Sequence, residues 1–156
     1  MYIINSVNER DLKNISIRIF EISDYEILID LWTKAGLPYK PKGRDSKESM
    51  RKELEKACAT ILIAELDHIA IATVFATHDG RKGWINRLAV LPEFRKQGIG
   101  KMLVEKAESI LIEKGIGIIA CLIEDYNKTS LATFKKLGYT EFEGIHYLTK
   151  RIHPDI

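Results

Sequence analysis

The sequence has few of the residues that build disulfide frameworks or metal centres. Only two of its 156 residues are cysteines, Cys58 and Cys121, and neither belongs to a C-x-x-C pair. Disulfide-rich and zinc-binding domains space their cysteines differently. We therefore expect two small buried thiols, no disulfide and no metal site.

Long apolar runs and a strong net charge are also missing. No stretch approaches the roughly 18 apolar residues of a membrane helix, and residues 1–14 interleave charges with apolar side chains, unlike a signal peptide. The sequence therefore predicts a cytoplasmic protein without a membrane partner. The net charge is only +2, so we expect no nucleic-acid partner; a nucleic-acid-binding module remains a third and weaker alternative.

Length and periodicity predict one mixed α/β domain over residues 1–156, with 1–14 as an N-terminal arm. Apolar or alternating runs predict about seven strands, near residues 15–20, 60–66, 69–76, 84–90, 116–123, 139–142 and 146–151. Helical spacing predicts roughly four helices, near residues 24–35, 45–57, 98–114 and 127–137. The helix between the fourth and fifth strands predicts a parallel crossover. Asp67-His68 predicts a tight hairpin, and Asp45 with Glu48 predicts a capping box for the second helix.

Two glycines among cations mark the start of the third helix. The segment Arg95-Lys-Gln-Gly-Ile-Gly-Lys101 follows a strand and Pro92. A helix start has unpaired N–H groups and partial positive charge, and glycines let a ligand approach the backbone closely. These features predict a phosphate or diphosphate site, and a tight turn with solvated cations is the alternative. The Walker and dinucleotide motifs do not fit, because Arg95 and Leu103 stand where those motifs need glycine.

The glycine segment resembles the acetyl-coenzyme A loop of the GNAT (GCN5-related N-acetyltransferase) superfamily. The family pattern is Arg or Gln, two residues, Gly, one residue, and Gly or Ala, which Arg95, Gly98 and Gly100 match. Further similarity lies in Leu88-Ala-Val-Leu-Pro92 and in a C-terminal motif made of Asn127, Ser130, Phe134 and Lys136-Leu-Gly-Tyr139. Segments such as Gly83-Trp-Ile-Asn86 resemble a subgroup of small acetyltransferases whose substrates are unsettled. The resemblance implies a mixed sheet whose fourth and fifth strands splay apart.

The resemblance also implies which residues bind acetyl-CoA, the acetyl donor. The backbone N–H of Leu88 would face the acetyl carbonyl, and Val90 would pair with pantetheine. The glycine loop would bind the diphosphate, and Asn127 would bond to the cofactor arm or act as a helix N-cap, or both. The cofactor-binding residues so implied are Leu88, Ala89, Val90, Arg95, Lys96, Gln97, Gly98, Ile99, Gly100, Lys101, Asn127 and Phe134.

The chain departs from the family where catalysis needs an acid and a base. Phe134 stands where the family usually has a Tyr that protonates the thiolate, and Phe donates no proton. Trp84 and Leu122 stand where the family often has a Glu that acts as the general base. No catalytic residue can therefore be assigned, and a water chain in place of a dedicated base is favoured. The remaining candidates are Glu124, Tyr126, Tyr139 and His78.

The first helix and the basic loop after it would form a wall of the acceptor groove. Trp32, Tyr39 and Trp84 are the candidate acceptor contacts, although Trp32 also fits a purely structural core position. The loop cations indicate an acidic or carboxylate-bearing acceptor, unless they face solvent. The resemblance implies direct acetyl transfer to a primary amine of a small molecule or protein. A non-catalytic acyl-CoA-binding regulator stays open as the alternative function. Whether the protein forms a homodimer also stays open.

Overall fold

The computed structural model describes residues 13–154 and 156. The predicted N-terminal arm therefore lies, except for its last two residues, outside the described residues. None of the helices in the described part of the chain is long and apolar enough to span a bilayer.

One five-stranded sheet forms the centre of the fold, with strands in the order β1-β2-β3-β4-β5. Neighbouring strands are antiparallel except β4 and β5, which are parallel. The strands are β1 (Ile15–Ile19), β2 (Ala59–Leu66), β3 (Ile69–His78), β4 (Gly83–Val90) and β5 (Ile119–Ala120). The helices are α1 (Tyr25–Ala35), α2 (Lys47–Leu54), α3 (Ile99–Glu113) and α4 (Lys128–Lys136). The mixed α/β class, the four helices and the parallel crossover through α3 are confirmed.

The prediction of about seven strands was wrong for the described residues. The fifth strand is reduced to two residues, and no strand forms between residues 139 and 154. The sequence predicted two short strands there, but a strand also needs a partner edge, and β5 is too short to provide one. Large apolar side chains in this segment are consequently exposed, among them Phe142, Ile145, Tyr147 and Leu148.

Helices cover both faces of the sheet, which places the core in two layers. On one face Leu103, Val104, Ala107 and Leu111 of α3 pack against β2, β3 and β4, and Phe134 of α4 joins them. On the other face α1 and α2 pack through Leu28, Leu31, Trp32 and Met50 onto Ile61, Ile63 and Phe75. This two-sided burial explains why the central strands are apolar on both faces.

Two local predictions concern a hairpin turn and the N-cap of α2. Asp67 and His68 both have positive φ, +50° and +66°, as a two-residue type I′ hairpin requires. The predicted capping box of α2 is corrected by one residue. Ser46 is the N-cap, and its hydroxyl accepts from the Ser49 N–H at 3.2 Å. Asp45 is engaged elsewhere, in the candidate site.

Candidate active site

A cleft opens where β4 and β5 separate. The two strands pair only at Gly83 with Ile119 and at Trp84 with Ala120, and no residue of β4 after Trp84 has a partner in β5. The resulting cleft has a volume of about 610 Å³. It is lined by Leu37, Pro38, Arg44, Asp45, Glu53, Phe75, Thr77, Ile85, Asn86, Arg87, Leu88, Cys121, Leu122, Ile123, Glu124, Tyr126, Asn127, Ser130 and Phe134. The predicted splay between strands four and five is confirmed.

A β-bulge in β4 lies at the centre of the cleft wall. Asn86 pairs with Phe75, and Ala89 pairs with Thr73. The chain therefore advances three residues along β4 while it advances two along β3. The extra residue is accommodated at Arg87, whose φ is +50°. Left-handed torsions are uncommon for residues other than glycine, and bulges often re-aim side chains beside functional sites. The bulge thus leaves Arg87 and Leu88 without register partners on either side.

Arg87 connects this bulge to the loop between α1 and α2. Its Nη2 donates to Asp45 Oδ2 at 2.8 Å, and its Nη1 donates to the Pro38 carbonyl at 3.0 Å. Its guanidinium carbon also lies 4.7 Å from the centre of the Trp32 ring. The exposed fractions of the Arg87 and Asp45 side chains are only 13% and 5%. This is a buried charge pair with added stacking, a role that Lys cannot reproduce.

Asp45 also holds the loop through further hydrogen bonds. Its Oδ2 also accepts from the Lys40 N–H at 2.7 Å, and its carbonyl accepts from the Tyr25 hydroxyl at 2.8 Å. The loop is therefore tied to α1 and to the β4 bulge. Local sequence did not reveal Arg87, because only the fold brings it to a residue 42 positions away.

The segment predicted to bind a phosphate lies at the start of α3. Lys96 and Gly98 both have left-handed backbones, with φ of +60° and +84°. Within the described residues, no acceptor is found for the successive backbone N–H groups of residues 96–101. Consecutive unpaired N–H groups at a helix start form a concavity that favours anions. The exposed side chains of Lys96 and Lys101 add positive charge beside it.

Arg95 is used to hold this loop in place. Its Nε donates to the Val90 carbonyl at 3.0 Å, and its Nη2 donates to the Ala35 carbonyl at 2.8 Å. Gln97 similarly donates from Nε2 to the Glu93 carbonyl. The guanidinium thus fastens the loop to β4 and to the end of α1. Direct binding of a diphosphate by Arg95 stays a prediction.

The structure favours glycine at the two loop positions for different reasons. A Cβ added at Gly98 would meet no atom within 4 Å, so only its φ of +84° demands glycine. A Cβ at Gly100 would lie 3.6 Å from Leu88 Cδ2, an ordinary contact. Gly100 therefore packs α3 against the cleft strand and leaves room for Ala, as the family pattern allows.

Asn127 and Phe134 line the opposite wall of the cleft. The Asn127 Oδ1 accepts from the Ser130 N–H at 3.2 Å, so its predicted N-cap role is present. Phe134 is 5% exposed and packs edge-on against Tyr139, with ring centroids 5.0 Å apart. Both positions are compatible with the cofactor contacts that the resemblance implies.

The four catalytic candidates separate into two groups. Glu124 and Tyr126 line the cleft, whereas Tyr139 and His78 do not. The Tyr139 hydroxyl donates to Glu108 at 2.7 Å, and burial together with that carboxylate raises the pKa of Tyr139. His78 contacts the Ala57 carbonyl through Nε2 and accepts from the Gly80 N–H through Nδ1. The last two side chains are therefore committed to structural contacts.

The structure places none of the three aromatic acceptor candidates in the cleft lining. Trp32 is fully buried and donates to Thr73 Oγ1 at 3.2 Å. Tyr39 packs against Trp32, and Trp84 lies under Lys82. Of the loop cations Lys40, Lys42 and Arg44, only Arg44 reaches the lining. Sequence reasoning missed the polar residues that do line this half of the cleft, namely Asp45, Glu53, Thr77, Asn86 and Arg87.

Comparison with known proteins identifies the family. Residues 25–139 match the model of the acetyltransferase (GNAT) family. The chain is similar to the structure of AAC(6')-Iy in complex with a bisubstrate analogue, at 22% identity and TM-score 0.74 over 88% of this chain and 98% of that one. It is similar to the aminoglycoside acetyltransferase meta-AAC0020 from an uncultured soil metagenomic sample in complex with sisomicin, at 18% identity and TM-score 0.76 over 90% and 98%. The PaiA N-acetyltransferase of Thermoplasma acidophilum, in complex with coenzyme A, matches at 26% identity and TM-score 0.68 over 79% and 87%. Because the family model covers most of the chain and the cleft fits it, the protein belongs to the GNAT acetyltransferase family.

Proposed function

We propose that this protein is an acetyl-CoA-dependent N-acetyltransferase that acts on a primary amine. The observation that carries the proposal is the cleft between β4 and β5, which Leu88 lines. Gly100, in the segment with unpaired N–H groups at the start of α3, lies next to the Leu88 side chain. The family supports acetyl transfer in general. The nature of the acceptor and transfer to nitrogen are the proposed parts.

The residues around the cleft fit acetyl-CoA. The N–H groups of residues 96–101, with Lys96 and Lys101, would bind the diphosphate, since charge-assisted hydrogen bonds contribute roughly 1.5–3 kcal/mol each. Leu88, at the bulge, would direct backbone groups at the acetyl carbonyl, and Asn127 would contact the pantetheine arm. When bound, acetyl-CoA supplies an activated thioester carbonyl, and the protein positions the amine beside it.

The transfer is direct in this proposal. The neutral amine attacks the thioester carbonyl, the carbon–sulfur bond breaks, and the proton that the amine loses balances the one that the thiolate gains. A covalent route through cysteine is unsupported, because burial raises the pKa of Cys121 in the cleft wall to about 11. At neutral pH its thiolate fraction would be only on the order of 10⁻⁴.

The second candidate function is a non-catalytic acyl-CoA-binding regulator. Phe134 and Leu122 favour it, because neither side chain in the cleft wall can transfer a proton. Thiol release from acetyl-CoA, measured over alkylamines, diamines, peptides and sisomicin, separates the two. Acceptor-dependent release supports the enzyme, whereas tight coenzyme A binding without release on any acceptor supports the regulator.

Phe134→Tyr tests whether catalysis lacks a proton donor. The substitution puts a phenol at the cleft wall, and a well-placed general acid contributes roughly 10²–10⁴-fold. We expect coenzyme A affinity to stay within about twofold and kcat to rise about tenfold, a partial gain, because the new hydroxyl has no prepared partner. Steady-state kinetics with the best acceptor measure this. An unchanged or lower kcat with intact cofactor affinity would show that thiolate protonation does not limit turnover.

A further inference from the structure

The charges that line the cleft do not balance one another. Five charged side chains take part, Arg44, Asp45, Glu53, Arg87 and Glu124. Arg87 is committed to Asp45 at 2.8 Å, and the Nε of Arg44 also lies nearest the same carboxylate, at 3.8 Å. Two carboxylates, those of Glu53 and Glu124, therefore remain in the lining without a cation of their own.

Glu53 is the more enclosed of these two carboxylates. It lies in the last turn of α2 and is half-buried, whereas Glu124 is exposed. Among the described residues, the Glu53 side chain has neither a hydrogen bond nor an ion pair. Burial raises the pKa of Glu53, while Lys56, Arg87 and Arg44 act on it in the opposite direction from a distance. The chain thus desolvates this carboxylate without supplying it with a direct partner.

We propose that Glu53 binds a second cationic group of the acceptor, so that the acceptor is a diamine or a larger polycationic amine. This inference rests on the proposed function and names the acceptor class. In the half of the cleft formed by the α1–α2 loop, α2 and the β4 bulge, both guanidinium groups lie on Asp45, at 2.8 and 3.8 Å, and Glu53 is the carboxylate without a direct partner. A carboxylate-bearing acceptor would meet Glu53 unfavourably, because like charges that are partly removed from water repel strongly.

The placement of the loop cations agrees with this choice. Lys40 and Lys42 are exposed and do not reach the lining, so they cannot neutralise an acidic acceptor inside the cleft. Arg87 faces Asp45 and the Trp32 ring, which leaves little of its charge for a ligand. Of the loop cations only Arg44 lines the cleft, and it lies 3.8 Å from Asp45, so the lining gives little support to the acidic acceptor that the sequence of the loop indicated.

The test compares three ligands that share a four-carbon chain, 1,4-diaminobutane, 1-aminobutane and 4-aminobutanoate. Calorimetry measures their binding to the protein saturated with coenzyme A. We expect the diamine to bind at least tenfold more tightly than the monoamine, and the amino acid to bind most weakly. In Glu53→Gln the ratio of diamine to monoamine affinity should fall by about tenfold, which corresponds to about 1.4 kcal/mol.

Glu48→Gln is the matched control on the same helix. Glu48 is exposed, pairs with Arg51 and Lys52 at 2.9 and 3.2 Å, and is absent from the cleft lining. Its replacement should leave all three affinities unchanged. Coenzyme A binding in each variant reports that the fold is intact.

Two results would overturn the inference, and neither depends on turnover. One is a wild-type protein that binds the diamine no better than the monoamine. The other is a Glu53→Gln variant that keeps the wild-type ratio. If the diamine preference is present but thiol release never occurs, the proposed enzymatic function fails while the assignment of Glu53 stands.

Discussion

Gly98→Val is expected to weaken coenzyme A binding by at least about tenfold. Gly98 has a φ of +84°, and a residue with a Cβ pays roughly 1–2 kcal/mol to adopt this torsion. A β-branched side chain would relax the loop toward negative φ and turn the neighbouring N–H groups away from one another. Loss of about 1.4 kcal/mol is a tenfold loss of affinity. Isothermal calorimetry with coenzyme A measures it.

Gly100→Ala is the control for this prediction. It changes a second glycine of the same loop, but its Cβ makes only an ordinary 3.6 Å contact with Leu88. We expect its coenzyme A affinity to stay within about twofold of wild type, since alanine also favours the helical position. Wild-type affinity in Gly98→Val, with helical content retained by circular dichroism, would refute the assignment of the loop as the diphosphate site.

Arg87→Met is expected to destabilise the protein by roughly 3–5 kcal/mol, because it leaves a buried carboxylate without its partner. Asp45 has a side chain only 5% exposed, and after the substitution it would keep the Lys40 N–H and the more distant Arg44. The methionine also loses the stacking on Trp32 and the donor to the Pro38 carbonyl. For a chain of this size the loss lowers Tm by roughly 6–20 °C.

Urea unfolding and thermal scans measure this loss. Arg51→Met is the matched control, because Arg51 pairs with Glu48 and Glu55 on the surface, where exposed pairs contribute roughly 0–1 kcal/mol. Arg87→Met with Asp45→Asn should destabilise less than the sum of the two single variants, as expected for residues in direct contact. A loss below about 1 kcal/mol in Arg87→Met would show that the pair does not hold the loop.

Features that depend on short stretches of chain could be predicted from the sequence. The glycine loop and the start of α3 depend on neighbouring residues, and so does the Asp67-His68 hairpin. The spacing of apolar residues was sufficient to predict the four helices and β1 to β4. Apolar residues recur at helical spacing in a helix with one buried face, and they form short apolar or alternating runs in a buried strand. The segment 139–151 shows the limit of this reasoning, since the two short strands predicted there did not form among the described residues.

The proposed acceptor half of the cleft could not be predicted in the same way. Glu53 and Arg87 are far apart in sequence, and both reach the cleft only because the α1–α2 loop folds over the β4 bulge. Aromatic residues were the predicted acceptor contacts, yet Trp32 is fully buried. Whether a side chain faces a cleft or the core depends on what packs against it.

The sequence alone determined the family, the four helices, the first four strands and the glycine-rich start of α3, because these depend on contiguous motifs and on short periods. Only the tertiary structure decided where β4 and β5 part, which polar groups line the gap and which of their charges are already paired. Those properties depend on contacts between residues that are far apart in the sequence. The unpaired carboxylate of Glu53 is one of them, because a charge lacks a partner only in relation to every other group that folding brings near it.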